Sequence, residues 1–172
     1  MKWIKTIFIG ILATFAMDVG MNLIMMVFGI APTNIHPSAA FLYNLGIDYQ
    51  NLSVLLHYSY GTLWALVFVY AFEKNFSTYI AIIFALVLWL FMMLVYSPVI
   101  GWGFFGIGNA GLLDGDHPLY LSSTIDYLFM TFSVHIIYGA TLGILTSKYI
   151  SEKEGKIAPE KAIHTAKPKS NN

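Results

Sequence analysis

The chain contains no cysteine and no arginine, and it carries little charge of either sign: nine lysines and nine acidic residues in 172 positions. Without cysteine there is no disulfide, thiolate metal site, iron–sulfur cluster or thioether-linked haem, so any metal must be held by His, Asp, Glu or backbone oxygen. A formal net charge of zero provides no basic field for nucleic acid, which is not expected as a partner, and turns attention from the sum of the charges to their positions. The scarcity of charge is informative in itself: 10% of residues are charged and 58% hydrophobic, against roughly 25% charged in an average soluble domain. Lysine to the exclusion of arginine reads as the codon bias of an AT-rich genome and points to a prokaryote.

Long apolar sequence takes the place of charge. Four stretches, residues 6–28, 52–72, 78–100 and 124–147, reach about the 20 residues a helix needs to cross a hydrocarbon core roughly 30 Å thick. The first is too long for the apolar core of a signal peptide and is followed by Pro32 beside the small residue Ala31, so it is expected to remain as an anchor. Lys2 and Lys5 precede the first span, Lys74 separates the second from the third, and Lys148, Lys153, Lys156, Lys161, Lys167 and Lys169 follow the fourth. Short lysine-rich segments stay on the cytoplasmic side, so four crossings with both termini inside satisfy all nine lysines at once. Trp3, Tyr70, Tyr79 and Tyr149 then fall at the cytoplasmic interface, where amphipathic rings collect. The expectation is an all-α, multi-pass protein of the cell (plasma or inner) membrane, with a four-helix transmembrane domain over residues 1–150 and a disordered cytoplasmic tail over 151–172.

Both outer loops, 29–51 and 101–123, are apolar and are expected to lie on or dip into the membrane. In the first, Pro37 can open a short helix that Gly46 ends. In the second, Gly101, Gly103, Gly106, Gly108, Gly111 and Gly115 exclude a continuous helix, and irregular backbone at membrane depth survives only when buried in protein or lining a cavity. The halves also echo each other. His57-x-x-Tyr60-Gly61 in the second span matches His135-x-x-Tyr138-Gly139 in the fourth, and each follows a His-Pro pair, His36-Pro37 or His117-Pro118. Two crossings per unit would make these two parallel two-helix repeats about an axis along the membrane normal.

Helical spacing sorts the polar residues. Ser53, His57, Gly61 and Ala65 recur every four residues, as do Thr131, His135, Gly139, Gly143 and Ser147, so each histidine shares a stripe of small residues on which another helix can pack. Thr14, Asp18 and Asn22 make one polar face on the first span. Asp18 lies 13 residues from Lys5, His135 lies 13 from Lys148, and His57 lies 16 from Glu73. At 1.5 Å per residue all three stand about 20 to 24 Å above the cytoplasmic ends. Asp18, Asn22, His57, Tyr96 and His135 are therefore expected to form one polar layer in the membrane, with His36, Asp114, Asp116, His117 and Asp126 at its outer mouth. Ionisable groups at this depth are costly and face a partner or a cavity. Four uses are compatible with the residues: a hydrogen-bonded lock on the bundle, a proton-linked site, a metal site formed by His57, His135 and Asp18, or a haem held between His57 and His135.

These same residues resemble, in combination, uncharacterised prokaryotic four-helix integral membrane families known as domains of unknown function, distantly similar to inner membrane proteins associated with acid resistance. The matching segments are Ala13-Thr14-Phe15-Ala16-Met17-Asp18, His57-x-x-x-Gly61, Ser97-Pro98-x-x-Gly101-Trp102-Gly103-Phe104 and His135-Ile136-Ile137-Tyr138-Gly139. The resemblance implies a fold and a membrane location and brings no reaction with it. No nucleophile with a base, phosphate-cradling loop or paired acids at usable spacing is present, so the sequence leans away from an enzyme. It points to a binding or transport-type protein with a buried Asp/His site for protons or a metal ion, or alternatively to a structural accessory subunit of a larger membrane complex, with the lipid bilayer and a homo-oligomer or larger assembly as partners.

Overall fold

The structure, a computed structural model, describes residues 2–73 and 75–150; Lys74 and the tail expected over 151–172 lie outside the described residues. Among the described residues the chain is helical, with two isolated bridges and no strand. Four helices are long and apolar enough to cross a membrane: α1 (Lys2–Phe28), α3 (Gln50–Ala71), α4 (Thr78–Val99) and α5 (Thr124–Tyr149), with the short α2 (Pro37–Asn44) between the first two. The helices begin where the local chemistry directs. Ser77 Oγ accepts from the Ile80 amide and Ser123 Oγ from the Asp126 amide, each at 3.2 Å, satisfying donors that have no partner inside the helix. Pro37 opens α2 and Gly46, at φ 69°, follows its end, as expected. At their lysine-bearing ends α1 and α5 extend beyond the apolar stretches, because lysine stems can run along the helix while their ammonium groups stay in water.

Helix α1 packs on α3 and α5, and α4 packs on α5. These contacts are set by small residues. A methyl group on Gly139 would sit 2.8 Å from the Ala81 carbonyl oxygen and the Ile82 Cα, and one on Gly143 would sit 2.5 Å from the Thr78 Cα, so both glycines mark where α4 and α5 approach most closely. Gly61 of α3 faces the Thr14 side chain of α1, and the buried Tyr138 hydroxyl donates to the Gly61 carbonyl at 2.6 Å, tying α5 to α3. All three packing glycines thus lie in helix contacts. Phe8, Phe15, Val54, Leu63, Val87 and Ile125 point outward and exposed, an apolar coat that water would not tolerate and lipid would.

Lys5 Nζ donates to the Tyr149 carbonyl at 3.0 Å and Lys2 pairs with Glu73, so the first residues of α1, the α3–α4 turn and the end of α5 share one end of the bundle. Trp3, Tyr70, Tyr79 and Tyr149 are exposed there. The opposite end is closed by the two long loops, which are stitched together: the Ser122 amide donates to the Pro32 carbonyl at 2.9 Å, and Asn34 Nδ2 reaches the carbonyls of Gly115 and His117 at 2.8 and 2.9 Å.

The third span does not remain a regular α-helix. Over Met92–Tyr96 it widens to a π-turn in which the Ser97 amide bonds the Met92 carbonyl. Pro98 has no N–H to give the Met93 carbonyl in that register, and the Phe105 amide supplies it instead at 3.2 Å. The glycine-rich loop is thereby folded back onto α4. Gly103, at φ 78°, could not carry a side chain there, since it would meet the Ile107 carbonyl. Trp102 is fully buried in this turn, its indole N–H bonded to the Leu119 carbonyl at 3.0 Å. The two His-Pro pairs differ in what they build: Pro37 opens α2, whereas Pro118 lies among turns.

Candidate functional site

Asp18 of α1 and His57 of α3 meet. His57 Nε2 lies 3.0 Å from Asp18 Oδ1, and because a carboxylate only accepts, the imidazole donates. The third member comes from outside the spans. His36 occupies the N-cap of α2, which is packed against α3, and its ring meets that of His57 edge to face at a centroid distance of 4.3 Å. Donor atoms of Asp18, His36 and His57 all lie within 4.8 Å of one another. Three separate elements, α1, the start of α2 and α3, therefore bring one carboxylate and two imidazoles to a point.

The position of His36 follows from local chemistry. The residue before proline is held in extended backbone, here φ −66° and ψ 150°, which turns its side chain back over the first turn of the helix it precedes. Its Nδ1 lies 2.9 Å from Ser38 Oγ and 3.3 Å from the Ser38 amide, leaving Nε2 as its free nitrogen. Burial holds the His36 imidazolium well below its usual range, to about 3, with His57 adding to the effect and Asp18 opposing it. His36 is therefore a neutral imidazole near neutral pH.

The other expected members are placed differently. His135 faces the same cavity, but its Nδ1 donates to the Thr131 carbonyl at 2.7 Å and it does not join the Asp18, His36 and His57 donor cluster, in which His36 stands instead. Asn22 is exposed, its amide donating at 2.8 Å to the Asp18 carbonyl of its own helix, so it does not belong to the layer. Tyr96 lines the cavity and its hydroxyl donates to the Pro37 carbonyl at 3.1 Å, fastening α4 to the start of α2. The four remaining residues assigned to the outer mouth do not line the cavity. Asp114 and Asp116 are exposed in the second loop, His117 Nδ1 accepts from the Leu119 amide at 3.1 Å, and Asp126 lies in the first turn of α5, where a carboxylate complements the helix dipole.

Beside the cluster lies a cavity of about 200 Å³. Its walls come from α1, α2, α3, α4 and α5, and it occupies the region where α3 and α4 have little backbone contact. Further along, Trp64 and Phe68 of α3 and Phe72 at its C-cap close around Phe84 of α4 at ring distances of 5.4 to 6.0 Å. Apart from the cluster the lining is largely apolar, with Met17, Met21, Leu56, Leu88, Met92 and Val134 prominent. A cavity of 150 Å³ accepts benzene, so this one has no room for a haem macrocycle, and the histidines proposed to hold one are engaged with Asp18 and Thr131. No protein-family model, curated protein or solved structure matches the chain.

Proposed function

We propose that this is a four-span cell-membrane protein that binds a divalent transition-metal ion at Asp18, His36 and His57, in the half of the bundle facing away from the cytoplasm. The observation that carries the reading is the convergence of three ligand-type atoms within 4.8 Å from three different elements. Two neutral imidazoles and a carboxylate suit zinc, copper or iron, and three protein ligands leave a further coordination position free. The metal would take the place of the proton now shared by His57 Nε2 and Asp18 Oδ1. Sidedness belongs to the same proposal. The lysine-bearing end is read as cytoplasmic, with support from the lysine distribution and the exposed aromatic residues at that end. The halves are read as parallel two-helix units, supported by Gly61 facing Thr14 of α1 and Gly139 facing the Ala81–Ile82 backbone of α4, each a contact within its own half.

The test is metal analysis of protein purified in mild detergent, followed by zinc titration of the chelated protein. One equivalent bound per chain, lost in the double variant H36Q/H57Q, is the expected result; titration with no saturable site would overturn the proposal. A second reading, an accessory subunit of a larger membrane complex, is favoured by Ile107 and Leu112, which are 73% and 85% exposed in the second long loop. Retained zinc binding in a variant that no longer co-purifies with other membrane proteins would separate the two roles.

A further inference from the structure

His135 lines the cavity without belonging to the metal cluster, and only one of its two nitrogens is engaged. Nδ1 lies 2.7 Å from the Thr131 carbonyl, and because a carbonyl only accepts, the ring proton sits on Nδ1. A neutral imidazole in that tautomer carries its lone pair on Nε2, whereas a protonated one would place an unpaired cation among apolar walls. Nε2 has no hydrogen-bond partner among the described residues and is not sealed by packing, so in a residue only 7% exposed its open side faces the cavity. Hydroxyls on the same walls are already committed: those of Tyr96, Tyr127 and Tyr138 donate to the Pro37 carbonyl, Ser97 Oγ and the Gly61 carbonyl, and that of Thr14 donates to the Gly10 carbonyl. A buried acceptor left unsatisfied costs stability, so this one calls for a donor from outside the chain.

We infer that the cavity binds a small neutral lipophile with one hydroxyl group, which donates to His135 Nε2. Volume sets the size class. Benzene fits a 150 Å³ cavity, and about 200 Å³ corresponds to roughly ten non-hydrogen atoms, one substituted ring or a short branched chain, and not a whole phospholipid. The walls set the chemistry of the body: Met17, Met21, Met92 and Leu88 offer adaptable apolar contact and nothing to solvate an ion. His135 sets the chemistry of the head. A lone pair rewards O–H, whereas an ether or ketone oxygen would meet it lone pair to lone pair. Tyr60, which lines the cavity and is 41% exposed, stands between this space and the outside of the bundle, so displacement of one side chain admits a solute from the bilayer.

The experiment uses the full chain in lipid nanodiscs with EDTA present, so that it reads this site whether or not the metal proposal holds, and empty nanodiscs correct for partition into lipid. Three probes of similar shape are compared: thymol, p-cymene, which lacks the hydroxyl, and thymol methyl ether, which keeps the oxygen and loses its hydrogen. Saturable thymol binding about five- to tenfold tighter than that of either other probe is expected, the ratio set by one hydrogen bond. In His135→Phe, or in His135→Leu should that variant not fold, the thymol affinity should fall to that of p-cymene while p-cymene still binds. In Met92→Trp, which fills the cavity, binding of all three should be lost. Equal affinities for thymol and p-cymene in the unsubstituted protein, a methyl ether that binds as tightly as thymol, a thymol preference that survives without the imidazole, or no saturable binding of any probe to folded protein would each overturn the inference.

Discussion

Replacing Asp18 by Asn tests the site with the smallest change of shape. The two side chains are isosteric, and the Asn carbonyl oxygen can still accept the His57 N–H that now lies 3.0 Å from Asp18 Oδ1. The bundle should therefore survive. A charge-assisted hydrogen bond becomes a neutral one, a difference of about 1 kcal/mol, and because the Asp18 and His57 side chains are 27% and 13% exposed, solvent screening keeps the loss at or below that figure. Metal affinity should respond much more strongly. Removing a partner that merely orients a ligand lowers affinity by about 10- to 100-fold, so removing the one anionic ligand should exceed about 100-fold, or 2.7 kcal/mol. Competition against a chromophoric chelator in detergent near neutral pH measures the ratio, with size-exclusion elution and the thermal midpoint as controls on folding. A D18N protein that folds normally and binds zinc within roughly threefold of the unsubstituted chain would refute the assignment of Asp18 as a ligand.

His135→Leu should change zinc affinity by less than about threefold while removing the bond to the Thr131 carbonyl, and the same chelator competition checks it. Gly139→Ala should destabilise by about 1 to 3 kcal/mol, because the added methyl meets Ala81 and Ile82 backbone that cannot yield; thermal unfolding in detergent reads this directly. The absence of cysteine supplies a clean background for sidedness: single cysteines at the exposed positions Leu112 and Tyr149 should react with a membrane-impermeant maleimide from opposite faces of intact cells or inverted vesicles. Acid should loosen the docking of α2. His36 stays neutral in the fold down to about 3 but takes up a proton near 6.5 when unfolded, so the unfolded state binds more protons in that window and stability falls with pH below about 6.5, by at most about 1.4 kcal/mol per unit. His36→Gln should flatten that slope in thermal melts of the metal-free protein.

The spans and their packing were legible because a bilayer leaves few solutions. Twenty apolar residues in water could be a buried strand or helix, but in lipid every backbone polar group must be satisfied within the segment, and length alone then defines a crossing. Gly61, Gly139 and Gly143 could be read for a similar reason, since without a hydrophobic drive between helices the close approaches fall where side chains are smallest. Counting residues along the helices brought Asp18 and His57 together because both sit in the interior of uninterrupted α-helices, where rise per residue is fixed. The π-turn of α4 was not legible: Pro98 announced a break, but the widening precedes it and depends on the Phe105 amide returning from a loop whose path no periodicity describes.

The misplacement of His36 has a physical source that applies beyond this chain. Counting residues from a helix end measures position only for groups on that helix, and His36 belongs to a connecting segment whose position is set by what the short helix α2 packs against. The signal was nevertheless present in two residues. A histidine directly before the proline that opens a helix is fixed in extended backbone at the N-cap, so its ring turns back over the first turn of that helix, and α2 could approach α3 closely only by carrying the ring toward His57. By contrast, nothing in the sequence distinguished His135 from His57, since both lie on small-residue stripes at similar distances from the lysine-bearing end; what separates them is that the ring of His135 turns its Nδ1 to the Thr131 carbonyl of its own helix, whereas that of His57 turns its Nε2 to Asp18.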